Sequence, residues 1–173
     1  MKRAITAFVA VCCVAAALAA QAPVPAPQAA PGDWRTFEGT MTATGHRQAI
    51  PTESGKPAIT VQLSGPVSIT SDAGLSRGFR AEVVGFDDGA GLTVLRGVWT
   101  DDRGDRIFTR LNGETVASGR RVFGAFTGGT GRYAGITGDY SFDWQYVVEA
   151  DAGTISGRGI GLRGRYRIGG GGK

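Results

Sequence analysis

The segment from Ile136 to Tyr146 constrains this chain more than any other. Ile136, Gly138, Tyr140, Phe142, Trp144 and Tyr146 share one parity, and Thr137, Asp139, Ser141, Asp143 and Gln145 share the other. Side chains of a strand point alternately to opposite faces of a sheet, so the pattern predicts a long strand with one face buried. Immediately upstream, Gly128-Gly129-Thr130-Gly131-Arg132-Tyr133-Ala134-Gly135 is dense in glycine and predicts a tight turn that feeds the strand. The alternation recurs along the chain. Residues 58–70 set Ile59, Val61, Leu63, Val67 and Ile69, a predicted buried face, against Thr60, Gln62, Ser64, Ser68 and Thr70. Residues 34–44 set Phe37, Met41 and Ala43 against Thr36, Glu38, Thr40 and Thr42.

Further strands are predicted at 78–87, 92–100, 105–116, 120–127, 136–148 and 153–168. Turn signals such as Asp72-Ala73-Gly74, Asp87-Asp88-Gly89 and Asp101-Asp102-Arg103-Gly104 separate them. No segment of helical length carries a 3.6-residue period. The chain is all-β, and its short connections favour an antiparallel meander of eight strands. Many of the 29 glycines fall inside strands: Gly39, Gly65, Gly85, Gly97, Gly113, Gly124, Gly138, Gly157, Gly159, Gly161 and Gly164. Glycine weakens a strand unless it serves a bend, a bulge or a close backbone approach. Barrel closure needs such bends and removes exposed edges. Composition and periodicity leave a closed barrel and a β-sandwich both open.

The ends lie outside the folded unit. Lys2 and Arg3 precede an apolar run from Ala4 to Leu18, and Ala17-Leu18-Ala19 fits a small-residue cleavage pattern. Residues 1–20 therefore read as a signal peptide, and the mature protein as secreted or periplasmic, with no stable membrane insertion after cleavage. The run is short and Ala-rich for an uncleaved span. Cys12 and Cys13 lack the small preceding residue a lipobox requires. Residues 21–32 are a Pro/Ala-rich linker, 33–168 the β-barrel domain, and 169–173 a Gly-rich tail expected to be disordered. Both cysteines fall in the signal, so the mature chain forms no disulfide or thiolate site. Taking Lys2 and Arg3 from the 19 basic residues leaves 17 against 15 acidic. Arg158, Arg163, Arg165 and Arg167 crowd the last strand, without the aromatic interleaving of a nucleic-acid surface, and no nucleic-acid partner is expected.

The arrangement G-G-T-G-x-Y-x-G-x-x-G, formed by Gly128 to Gly138 before an alternating strand, resembles the corresponding segment of the allene oxide cyclase and dirigent proteins. The resemblance implies an eight-stranded antiparallel closed β-barrel. Gly128, Gly129, Gly131, Tyr133 and Gly135 match that family's structural turn. It implies an apolar cavity for a small hydrophobic ligand, no metal or organic cofactor, and a homotrimer. The function it implies is a secreted barrel that binds a small hydrophobic molecule or serves as a scaffold. The alternative is a cofactor-independent isomerase or cyclase acting on a reactive hydrophobic intermediate. No catalytic residue is assigned by it.

Among side chains that carry chemistry, the aromatic stripe Tyr140, Phe142, Trp144 and Tyr146 is the candidate ligand-binding set, with a packed core as the competing reading. His46, the single histidine, follows the first strand in the polar segment Gly45-His46-Arg47-Gln48 and reads as an exposed loop residue. Asp101-Asp102-Arg103-Gly104-Asp105 reads as a charged hairpin turn, because Arg103 stands where a calcium loop needs oxygen. Its Arg103-Gly104-Asp105 matches the integrin-type tripeptide by coincidence of common turn residues. Gly129-Thr130-Gly131 with Gly135 is followed by a strand, whereas a dinucleotide fingerprint needs a helix N-terminus. Glu82 shares parity with Val84 and Phe86, and Arg110 with Phe108. Solvent-facing pairs are favoured there over an inward ion pair.

Overall fold

The computed structural model describes residues 33–53, 55–71, 74–90, 93–116, 119–149 and 153–169. Residues 1–32, read above as signal peptide and linker, and tail residues 170–173 lie outside them. Eight strands follow in order: β1 (Arg35–Ile50), β2 (Ala58–Ile69), β3 (Gly78–Asp87), β4 (Thr93–Asp101), β5 (Arg106–Val116), β6 (Gly119–Gly129), β7 (Ile136–Glu149) and β8 (Thr154–Ile168). A one-turn 3₁₀ helix, Gly131–Tyr133, joins β6 to β7. Each strand pairs antiparallel with the next, and β8 pairs with β1. The sheet is a closed barrel, so the sandwich alternative falls.

Two boundaries depart clearly from the sequence reading, the other strand ends agreeing to within two residues. Strand β1 continues to Ile50, held between β2 and β8; His46 sits opposite Gln62 on one side and Thr154 on the other. His46 is therefore an exposed strand residue. The alternation faded there because the inward positions of this stretch, Gly45 and Arg47, are not apolar. Gly169, the first residue of the expected tail, donates its N–H to the Gly135 carbonyl at 3.2 Å.

The barrel interior divides by depth. The half nearer the β4–β5 and β6–β7 connections is packed solid with Phe37, Phe79, Trp99, Phe126, Tyr133, Tyr140 and Tyr166, all buried. Trp99 meets Tyr140 at 5.1 Å and Phe126 at 5.4 Å between ring centroids, the latter edge to face. Such pairs contribute about 0.5–1.5 kcal/mol beyond area burial. Glycines make the room. Gly124 lies opposite Tyr140, and a Cβ there would run into the Tyr140 ring. Gly157 gives the same clearance to the Trp144 indole. The outer surface is uneven: Val84, Phe86, Val94, Phe108 and Phe123 are exposed on β3 to β6, while Arg121 of β6 pairs with Asp143 of β7 and Arg165 of β8 with Asp139 of β7.

Candidate functional site

A buried carboxylate closes the packed end. Asp101, at the end of β4, has no solvent-exposed side-chain area. Its Oδ1 accepts the backbone N–H of Arg103 at 2.8 Å and of Asp105 at 3.0 Å, which shapes the hairpin turn. Its Oδ2 accepts Arg132 Nε at 2.9 Å and the Tyr133 hydroxyl at 3.0 Å. Burial alone would raise the Asp101 pKa; the Arg132 fork, the two backbone donors and the Tyr133 hydroxyl outweigh it and hold the carboxyl below its ordinary range. Tyr133 is pushed up to about 12 by burial and by donating to Asp101. Every partner of the carboxylate is structural, so this cluster locks the glycine turn onto the β4–β5 hairpin. Sequence reading identified the turn but not the buried ion pair. Glu82 and Arg110 face solvent, and Glu82 pairs with Arg80 at 3.3 Å.

The turn glycines are held by the same contacts. Gly131 has φ +53°, and a Cβ on it would strike the Asp105 carboxylate. Gly129 has no room either, lying against the carbonyls of Tyr133 and Arg106. Thr130 Oγ1 accepts the Arg106 N–H at 2.9 Å, tying the turn to β5.

The opposite end holds a cavity of about 120 Å³. Its wall is built from inward positions of the strands: Ile59, Val61 and Leu63 of β2, Val83 of β3, Leu95 of β4, Leu111 of β5, Val122 of β6, Trp144 and Tyr146 of β7, and Ile155 of β8. Phe86 and Gly113 also border the space, and three charged residues line it at the mouth: Arg47, Asp87 and Arg120. Each occupies the inward parity of its strand, in line with Ala43, Val83 and Val122 respectively. Arg120 reaches toward Gly113, where its Nε lies 3.7 Å from the position a Cβ would take. Its Nη2 stands 3.6 Å from Asp87 Oδ2. The opposite carboxylate oxygen, Asp87 Oδ1, accepts the Gly89 N–H at 2.9 Å.

The aromatic stripe of β7 is thus divided. Trp144 and Tyr146 line the cavity. Tyr140 and Phe142 lie wholly in the packed core, of which Trp144 is also a member. The Tyr140 hydroxyl is paired at 2.9 Å with that of Thr109, which also donates to the Ala125 carbonyl at 3.1 Å. Burial raises the Tyr140 pKa, with the Thr109 contact opposing it, so its phenol stays neutral. The mouth charges were not singled out from sequence, although parity carries a signal for them. Arg120 alternates with Val122 and Phe126, and Asp87 with Ala81 and Val83.

No family model matches the chain, and no curated protein matches it. Among solved structures it is similar to the pterocarpan synthase dirigent protein GePTS1, at 10% identity, a TM-score of 0.47, and coverage of 85% of this chain and 92% of that one. Among the described residues, no helix is long and apolar enough to cross a membrane.

Proposed function

We propose that this protein is an exported binding barrel that takes the apolar part of a small molecule into its mouth cavity. The observation that carries the proposal is the division of the interior: one half is filled by aromatic rings, and the other leaves an apolar, open-ended space edged by polar groups. Binding pockets have this composition, mostly apolar with a few placed polar groups. The volume is close to the roughly 150 Å³ of a dry apolar cavity able to hold benzene, so it suits one ring or a short branched chain. Each Å² of apolar ligand surface buried contributes about 25 cal/mol before the costs of association.

A second reading, a cofactor-independent isomerase or cyclase, draws support from Asp87 and Arg120. A carboxylate and a guanidinium edging an apolar space are groups able to move a proton and to stabilise developing negative charge. One titration separates the two. Small phenolic and fatty-acid-derived compounds are added while tryptophan fluorescence is followed. Trp144 lines the cavity, Trp99 is buried in the core and Trp34 is half exposed on the outside, so the response should come from Trp144. Saturable quenching that Trp144→Phe largely removes, with the protein still folded, is the expected outcome. Chemical conversion of a bound compound would favour the enzyme. A folded protein that responds to none of them would overturn both readings.

A further inference from the structure

The cavity's mouth has a chemical preference of its own, and the inference drawn from it rests on the binding reading above. Asp87 and Arg120 belong to β3 and β6, which are not neighbours; β4 and β5 separate them in the barrel. Their ion pair therefore reaches across the opening rather than along the wall. Both side chains are only partly exposed, 24% and 33% respectively. At 3.6 Å the pair is longer than a hydrogen bond, and a guanidinium carries five donors in a planar fork that suits a carboxylate held by two parallel bonds. Asp87 is fixed from behind by the Gly89 N–H. Arg47, on the same inward parity of β1, adds a second guanidinium to the lining. Among the charged residues lining the cavity, two are cationic and one is anionic.

We infer that the cavity takes a small monocarboxylic acid with a ring-sized or short branched apolar body. The body lies on Leu63, Leu111 and Trp144. The carboxylate lies at the mouth, where it replaces Asp87 on the Arg120 fork. The exchange substitutes a hydrogen-bonded pair for a long one, in a partly desolvated site where charge-assisted hydrogen bonds are stronger than neutral ones. The apolar volume limits the body, and the fork selects the head. A neutral molecule of the same shape gains the cavity but leaves the Asp87–Arg120 pair in place.

The test uses the full-length exported chain and three probes of one shape: 3-phenylpropanoate, 3-phenylpropanol and 3-phenylpropylamine. Their dissociation constants are measured by calorimetry at neutral pH, at low and at high salt. The acid is expected to bind about tenfold more tightly than the alcohol or better, a charge-assisted hydrogen bond's worth of discrimination. The amine should bind most weakly, and the acid's advantage should shrink as salt rises. Arg120→Gln should remove most of the acid's advantage over the alcohol, Arg47 being the one guanidinium left in the lining. Asp87→Asn, which removes the competing carboxylate, should tighten the acid. It carries the test if Arg120→Gln lowers the melting temperature. Equal binding of acid and alcohol by the unaltered protein, or loosening of the acid by Asp87→Asn, would overturn the inference and leave the binding reading standing. Failure of all three probes on folded protein would remove both.

Discussion

Gly131 and Gly78 show what a glycine is worth at a single residue. Gly131 combines a left-handed backbone, φ +53°, with the Asp105 carboxylate standing where a Cβ would go. Gly78 opens β3 with open space around its Cβ position and no φ in the range that disfavours L side chains. Gly131→Ala should destabilise the protein by more than about 1 kcal/mol, because both the backbone and the neighbour resist the methyl group. Gly78→Ala should leave the melting temperature unchanged or raise it slightly, since it removes unfolded-state freedom at no steric cost. Thermal melts of the two variants check the contrast. Equal stability of Gly131→Ala and the parent would mean the turn does not require glycine at that position.

At the level of an element, β2 carries a gradient along one face. Ile59, Val61, Leu63, Val67 and Ile69 were placed together by parity, and all five do turn inward. Val67 and Ile69 are buried to 1% and 3% exposure, whereas Ile59, Val61 and Leu63 line the half-open cavity. An unpaired carboxylate in a packed apolar core costs several kcal/mol, enough to exhaust the stability of a domain this size. Val67→Asp should therefore unfold the barrel. Ser68→Asp, on the exposed face, should change little. Ile59→Asp should fall between, because a carboxylate at the mouth can keep water and has guanidiniums nearby. A urea titration of the three gives the ranking. Equal harm from Ile59→Asp and Val67→Asp would mean that the mouth is as dry as the base.

Across the whole molecule, Asp101 couples stability to pH. Its carboxyl is held below the ordinary value in the folded state, so the native chain binds this proton less readily than the unfolded one. The stabilisation is complete above the unfolded pKa, about 3.9, and is lost as pH falls through the lower folded value. Asp101→Asn removes the charge but keeps the shape. It should cost on the order of 2 kcal/mol at neutral pH, below the roughly 3–5 kcal/mol of a fully buried broken pair because Arg132 remains one-third exposed to water. The gap between parent and variant should narrow below about pH 4. A gap that stays constant from pH 7 to pH 3 would show that the charge of Asp101 is not what holds the two turns together.

Period-2 alternation by itself determined that the chain is all-β, how many strands it has and, for β1, β2 and β7, which residues share a face. Those are consequences of local geometry, since a strand's side chains alternate whatever lies around it. The turn motif added the barrel as an expectation by resemblance, and strand pairing between β8 and β1 decided it. Depth within the barrel was not legible. Tyr140 and Tyr146 share a strand and a parity. One is walled in by Trp99, Phe126 and the clearance at Gly124, and the other stands at the mouth. Whether an inward position is filled or left open depends on register between strands far apart in sequence, which no local pattern encodes. The same holds for the charges. Asp87 and Arg120 lie on strands that are not neighbours, as Asp101 and Arg132 lie on a hairpin and a distant turn, and only the closed sheet brings each pair within reach.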